Sequence, residues 1–205
     1  MSSAGSAACR FWRASLHALA DIPPGGEVTV TELGPFLGFF DGQAWEVSFD
    51  GGAIPGTAAG GGAVLWEPHS DGSGRWRVRA VARIAIPGEG RAPVAEAWGL
   101  VAALRLLATL RTEARSARVI GDNLGIVRFG AAEGRLHHQH LQAPIDGALT
   151  PLLLAGWDLR WVAVRRRLNR AADAQATIAR DRAAALSSRG DLAPEWSFDW
   201  VTRDA

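Results

Sequence analysis

Lysine is missing from this sequence, and all 22 basic residues are arginine. Arginine holds phosphate well because its planar fork donates two parallel hydrogen bonds. A GC-rich coding bias produces the same replacement, and the two readings are compatible. Cysteine is nearly missing too. The single Cys9 excludes an internal disulfide and fits a reducing, intracellular compartment, with the cytoplasm or nucleus expected. No apolar run approaches the roughly 20 residues that cross a bilayer, so no membrane partner is expected. Charge of one sign is lacking as well. The formal net charge is +1, which gives none of the global basic signature common among nucleic-acid binders. There is no internal repeat.

What is present is a chain of 205 residues, 48% of them apolar, long enough for one domain with a core plus some extension. Residues 1–44 read as an N-terminal extension. Its first 20 residues carry Arg10 and Arg13, no acid, and Phe11, Trp12, Leu16 and Leu19. That composition suits a targeting segment, mitochondrial among the options, or an amphipathic linker. A Pro/Gly break covers Asp21 to Gly26, and Val28 and Val30 alternate as a short strand.

The core is expected from Trp45. A short apolar strand ends on Asp50 and breaks at Gly51 and Gly52. Ala53 to Gly62 read as a flexible turn, and Ala63 to Trp66 as the returning strand. Trp76, Val78, Ala80 and Ala82 alternate with arginines as a third strand with one Arg-rich face. Val94, Trp98, Val101, Leu104 and Leu107 recur at helical spacing. A fourth strand over Ala117 to Gly121 ends on Asp122, and Asn123 to Phe129 begin a helix. Ile145 to Leu154 form a further helix, and Leu159 to Val164 the last strand. Asn169 caps a final Ala-rich helix running to about Leu186. The tail, with Pro194, Trp196, Phe198 and Trp200, packs back as an aromatic clip. Three strands in succession imply an antiparallel meander. Strands separated by helices imply parallel additions to the same sheet.

Four carboxylates fall at element ends: Asp50, Glu96 in the first turn of the long helix, Asp122, and Asp173 in the first turn of the last helix. Taken singly, Asp122 suits a helix cap, and Glu96 and Asp173 suit helix N-termini. Gathered at one sheet edge they would repel one another and titrate together. Divalent cations with hard oxygen ligands remove that conflict, Mg²⁺ first and Mn²⁺ as the alternative. A pair of such ions activates water and stabilises the leaving oxygen of a phosphodiester.

Phe49-Asp50-Gly51-Gly52 with Gly60-Gly61-Gly62-Ala63-Val64, Ala95-Glu96 on a helix, Ile120-Gly121-Asp122-Asn123, and Trp161-Val162 before Asn169-Arg170-Ala171-Ala172-Asp173 together resemble the ribonuclease H family. The likeness runs from about Trp45 to Leu186 and looks closest to its plant-like and retroelement branch. It implies an α/β fold with a mixed five-stranded sheet, three strands antiparallel and two parallel, flanked by helices. The catalytic domain would span 45–190, with a C-terminal tail over 191–205.

The implied activity is two-metal hydrolysis of the RNA strand of an RNA/DNA hybrid by a monomer or a piece of a polyprotein. Asp50, Glu96, Asp122 and Asp173 would be the catalytic metal ligands for two Mg²⁺ ions. Gly51, Gly52, Asn123, Arg166, Arg167 and Asn169 would contact substrate. Glycine at 51 and 52 would let the backbone approach the RNA, whose 2′-hydroxyl distinguishes it from DNA.

The chain departs from the family at two places. Ala92 and Pro93 stand where many members place hybrid-contacting Asn residues, and Arg165-Arg166-Arg167-Leu168 replace a loop that carries His in bacterial-type members. These departures leave room for a weak or inactive nucleic-acid-binding domain, and a DNA-directed nuclease would use the same acids. Without a separate basic handle, weak and steeply salt-dependent substrate binding is expected. Asp41 is a competing first carboxylate without the Gly-rich hairpin. His137, His138 and His140 lack the partners and spacing of a zinc site.

Overall fold

The computed structural model describes residues 27–29, 45–68, 75–136 and 138–200. Asp41, His137 and most of the N-terminal extension lie outside the described residues.

The order of elements is β1 (Glu27–Thr29), β2 (Trp45–Ile54), β3 (Ala58–Pro68), β4 (Arg75–Pro87), α1 (Ala92–Ala108), β5 (Ser116–Gly121), α2 (Leu124–Gly130), α3 (Gln142–Leu154), β6 (Asp158–Ala163), α4 (Arg170–Ser187) and β7 (Glu195–Trp200). The sheet runs β1-β4-β3-β2-β5-β6, and β7 also pairs with β4. The expected five strands are its centre. β2, β3 and β4 form the antiparallel meander, and β5 and β6 add in parallel. Two more strands join this sheet beyond the expected five: β1, which takes in the short strand expected at Val28, and β7. Both β1 and β7 lie antiparallel to β4, against Arg75–Arg77 and Ala80–Ala85 respectively, where its backbone groups would otherwise lack partners.

The tail therefore packs back as a strand. Trp196 sits edge-on to Trp98 and stacks on Phe198, with Arg105 over its ring.

The main core lies between the sheet and α1. Phe49, Leu65 and Ile84 from the strands meet Leu100, Leu104 and Leu107 of α1, and Ile145 and Leu152 of α3 close the cluster. Each such side chain removed from water contributes about 1.5–3 kcal/mol. α1 is apolar on nearly every face because it lies sandwiched between the sheet and α3.

The opposite face is covered by α4 through small residues. Ala172, Ala176, Ala179 and Ala183 recur at helical spacing and are all buried.

Those alanines overturn the expectation of a flexible turn over Ala53 to Gly62. β2 continues past Asp50 to Ile54, and Asp50, Gly51 and Gly52 pair with Gly62, Gly61 and Gly60. Only Pro55 to Thr57 turn, with Gly56 at φ 69°. The glycines serve close packing from both sides. A Cβ on Gly62 would stand 2.2 Å from the Ala176 nitrogen, and one on Gly61 would stand 2.4 Å from that of Gly99. Both helices therefore rest on bare backbone, which brings their N-terminal halves down to the level of Asp50.

At the other end of β2, Glu46 and Arg118 are register partners on β2 and β5 and form a buried ion pair. Burial, with Arg160 nearby, pulls the Arg118 guanidinium down to about 10. Removing either partner would strand a buried charge.

Candidate metal centre at the junction of two strands and two helices

Asp50 sits within β2 rather than at its end, and it is 2% exposed. The neighbouring parallel strand is shorter on this side. β5 stops at Gly121, so Asp122 follows just beyond its last ladder residue. Glu96 comes from α1, at its fifth residue rather than in the first turn as expected, because the helix starts at Ala92. A Cβ on Gly51 would lie 2.1 Å from the Glu96 nitrogen, so this glycine is required by the helix that carries Glu96. Gly52 is looser, with its nearest neighbour the Arg180 Cδ at 3.6 Å.

One carboxylate oxygen from each of Asp50, Glu96 and Asp122 lies within 4.8 Å of the others. Such crowding is costly for three negative charges. Burial is the largest cause that raises Asp50 to about 7, followed by the Asp122 charge, with Asp173 adding to it. The Gly51 N–H, which donates to Asp50 Oδ1 at 2.7 Å, and the Arg166 charge act the other way. Burial also raises Glu96 to about 8, with Asp50 and Asp122 adding, against Arg166 and a hydrogen bond from Asn123.

Asp50 Oδ2 and Glu96 Oε2 are buried without any hydrogen-bond partner. Buried carboxylate oxygens left bare are uncommon unless a cation or proton satisfies them. The donor set is all oxygen and anionic, and it fits a hard divalent ion.

The fourth acid stands at the rim. Asp173 is in the first turn of α4, as expected, and its Oδ1 accepts from Arg166 at 3.1 Å. It adds to the charge felt by Asp50 but lies outside the three-residue cluster. Arg166 is well exposed, and its charge is felt by both Asp50 and Glu96. Arg167 is exposed on the same short turn, Arg166–Leu168.

Asn123 caps α2, its Oδ1 accepting from the Gly125 and Ile126 nitrogens, and it also hydrogen-bonds Glu96. The capping role had been open to Asp122; Asn123 takes it and leaves the aspartate free to face the other acids. Asn169 precedes α4 as expected but caps nothing. Its side chain reaches back to Phe49 and Asp122 instead. That tie, and the packing of glycine on helix, had no sequence signal separable from those of turns and caps. His138 and His140 lie ring-edge to ring-face and join no metal-capable cluster among the described residues.

A mixed sheet in this strand order, with carboxylates gathered where β2, β5 and α1 meet, defines the ribonuclease H fold. The chain aligns with the N-terminal ribonuclease H domain of a Mycobacterium tuberculosis protein at 26% identity and TM-score 0.56, covering 72% of this chain and 97% of that one. Ribonuclease H1 of the archaeon Halobacterium salinarum matches at 24% identity and TM-score 0.53, over 66% of this chain and 96% of its own. A ribonuclease H1 from compost metagenome, solved in complex with an RNA/DNA hybrid, matches at 22% identity and TM-score 0.55, over 68% and 98%. No protein-family model and no curated protein matches the sequence. The chain has a ribonuclease H-like fold, similar to bacterial, archaeal and metagenomic ribonuclease H domains. No helix among the described residues is long and apolar enough to cross a membrane.

Proposed function

We propose that this protein is a divalent-cation-dependent endonuclease that hydrolyses the RNA strand of RNA/DNA hybrids. The observation that carries the reading is the convergence of Asp50, Glu96 and Asp122 within 4.8 Å, two of them with bare buried oxygens, in a ribonuclease H fold. The neighbour solved with an RNA/DNA hybrid supports the substrate class. The motif from Asn169 to Asp173 supports the plant-like and retroelement branch.

Asp50, Glu96 and Asp122 would hold the cations, with Asp173 completing the set from the rim; Mg²⁺ is the first choice and Mn²⁺ the alternative. When bound, the cations supply charge neutralisation, a more acidic water and stabilisation of the leaving oxygen. The chain's own residues do the rest. Burial of Asp50 Oδ2 and Glu96 Oε2 keeps bulk water from those two oxygens, so their field is screened little. Asn123 restrains Glu96 while fixing the start of α2. The exposed Arg166 and Arg167, in the loop that replaces the bacterial histidine, would meet backbone phosphate.

The test is cleavage of a labelled RNA/DNA hybrid beside duplex RNA and duplex DNA, with Mg²⁺ and with chelator. Hybrid-selective, Mg²⁺-dependent cleavage that Asp50→Asn abolishes is the expected result. Binding of hybrid without cleavage in Mg²⁺ or Mn²⁺ would replace this reading with a non-hydrolytic binding domain, the alternative that the Ala92-Pro93 departure leaves standing.

A further inference from the structure

Asn169 stands immediately before α4, where an asparagine ordinarily accepts hydrogen bonds from the first helical N–H groups. Its side chain makes no such bond. It is 2% exposed, and its Nδ2 donates to the Phe49 carbonyl at 2.7 Å and to Asp122 Oδ1 at 3.2 Å. Its own carbonyl accepts from the Asp173 N–H at 3.0 Å. One residue thus ties the backbone beside Asp50, the carboxylate of Asp122 and the backbone of Asp173. Meanwhile its Oδ1 is buried without a partner. Two costs thus fall on one residue, a missing side-chain cap and a bare buried acceptor.

We infer that Asn169 is a positioning residue for cation binding. Its amide sets the reach and orientation of Asp122 relative to Asp50, and its free Oδ1 accepts a hydrogen bond from a water that enters with the cation. This rests on the reading that the acids hold divalent cations. Groups that hydrogen-bond metal-ligating carboxylates commonly govern affinity tenfold to a hundredfold.

The experiment needs no nucleic acid. Metal-free full-length protein is titrated with MgCl₂ and, separately, MnCl₂, following thermal midpoint and heat of binding. The variants are Asn169→Ala and Asn169→Ser. Serine can cap α4 at this position and so protects the helix start, but it is too short to bridge Phe49 and Asp122. Both variants are expected to need about tenfold more cation for half-maximal stabilisation, Asn169→Ser no less than Asn169→Ala. A purely structural role would lower the cation-free midpoint and leave the titration midpoint unmoved, and that result overturns the inference alone. An unsubstituted protein that neither gains stability nor releases heat with either cation overturns the cation reading, and this inference with it.

Discussion

Substituting Asp50 by asparagine should make the cation-free protein more stable at alkaline pH while abolishing its proposed activity. The Asp50 carboxyl is raised from 3.8 to about 7, chiefly by burial and then by Asp122. A raised acid binds its proton more tightly in the folded chain than in the unfolded one. Its contribution is therefore fully present below about pH 4 and is lost as pH rises through about 7. The gap of about three pH units corresponds to roughly 4 kcal/mol at 1.36 kcal/mol per unit. The Asp50 charge also helps to raise Glu96 to about 8, so the substitution relieves both acids; the part of the Asp50 change that falls between pH 5 and about 7 corresponds to roughly 2–3 kcal/mol.

Asparagine matches the neutral acid in shape and keeps an oxygen for the Gly51 N–H at 2.7 Å. For a domain of this size, 2 kcal/mol is about 4–8 °C in thermal midpoint. The assay is thermal unfolding in chelator from pH 5 to 8.5, comparing the two proteins at each pH. The difference should open in favour of Asp50→Asn as pH rises, and Mg²⁺ should close it by stabilising only the unsubstituted protein. Parallel curves across that range would refute both the buried charge conflict and its role in holding cations.

Glu96→Gln and Asp122→Asn should each lower hybrid cleavage at least a hundredfold while leaving hybrid affinity within a few-fold, measured by cleavage and by binding in Ca²⁺. Gly62→Ala should cost about 3 kcal/mol in denaturant unfolding, because its Cβ would stand 2.2 Å from the Ala176 backbone nitrogen. Gly52→Ala, with nothing nearer than 3.6 Å, should stay within about 1 kcal/mol of the parent. Replacing Arg166 and Arg167 together by alanine should raise KM for hybrid about tenfold at low salt and flatten the salt dependence by about one to two phosphate contacts, with the thermal midpoint unchanged.

The elements announce themselves wherever periodicity was enough. The alternation in Arg75–Pro87 and the spacing of Val94, Val101, Leu104 and Leu107 each have one burial solution, and the strands and helices follow. The four acids were legible as an ordered set, and three of them do meet. The glycines were misread because glycine marks a turn and a close helix approach with the same letter. Only the alanines of α4 and Gly99 of α1 arriving overhead distinguish the two. Asn169 was misread for the same kind of reason. An asparagine before a helix reads as a cap, and its bonds to Phe49 and Asp122 span 120 and 47 residues.

Residue order alone determined most of the strands and helices and singled out the four acids as an ordered set, because those follow from local sterics and from apolar spacing along the chain. Tertiary packing alone decided how near the carboxylates come, which of them lose water and which asparagine holds them. Those quantities depend on backbones meeting across the sheet, where distance and dielectric are set by residues far apart in sequence.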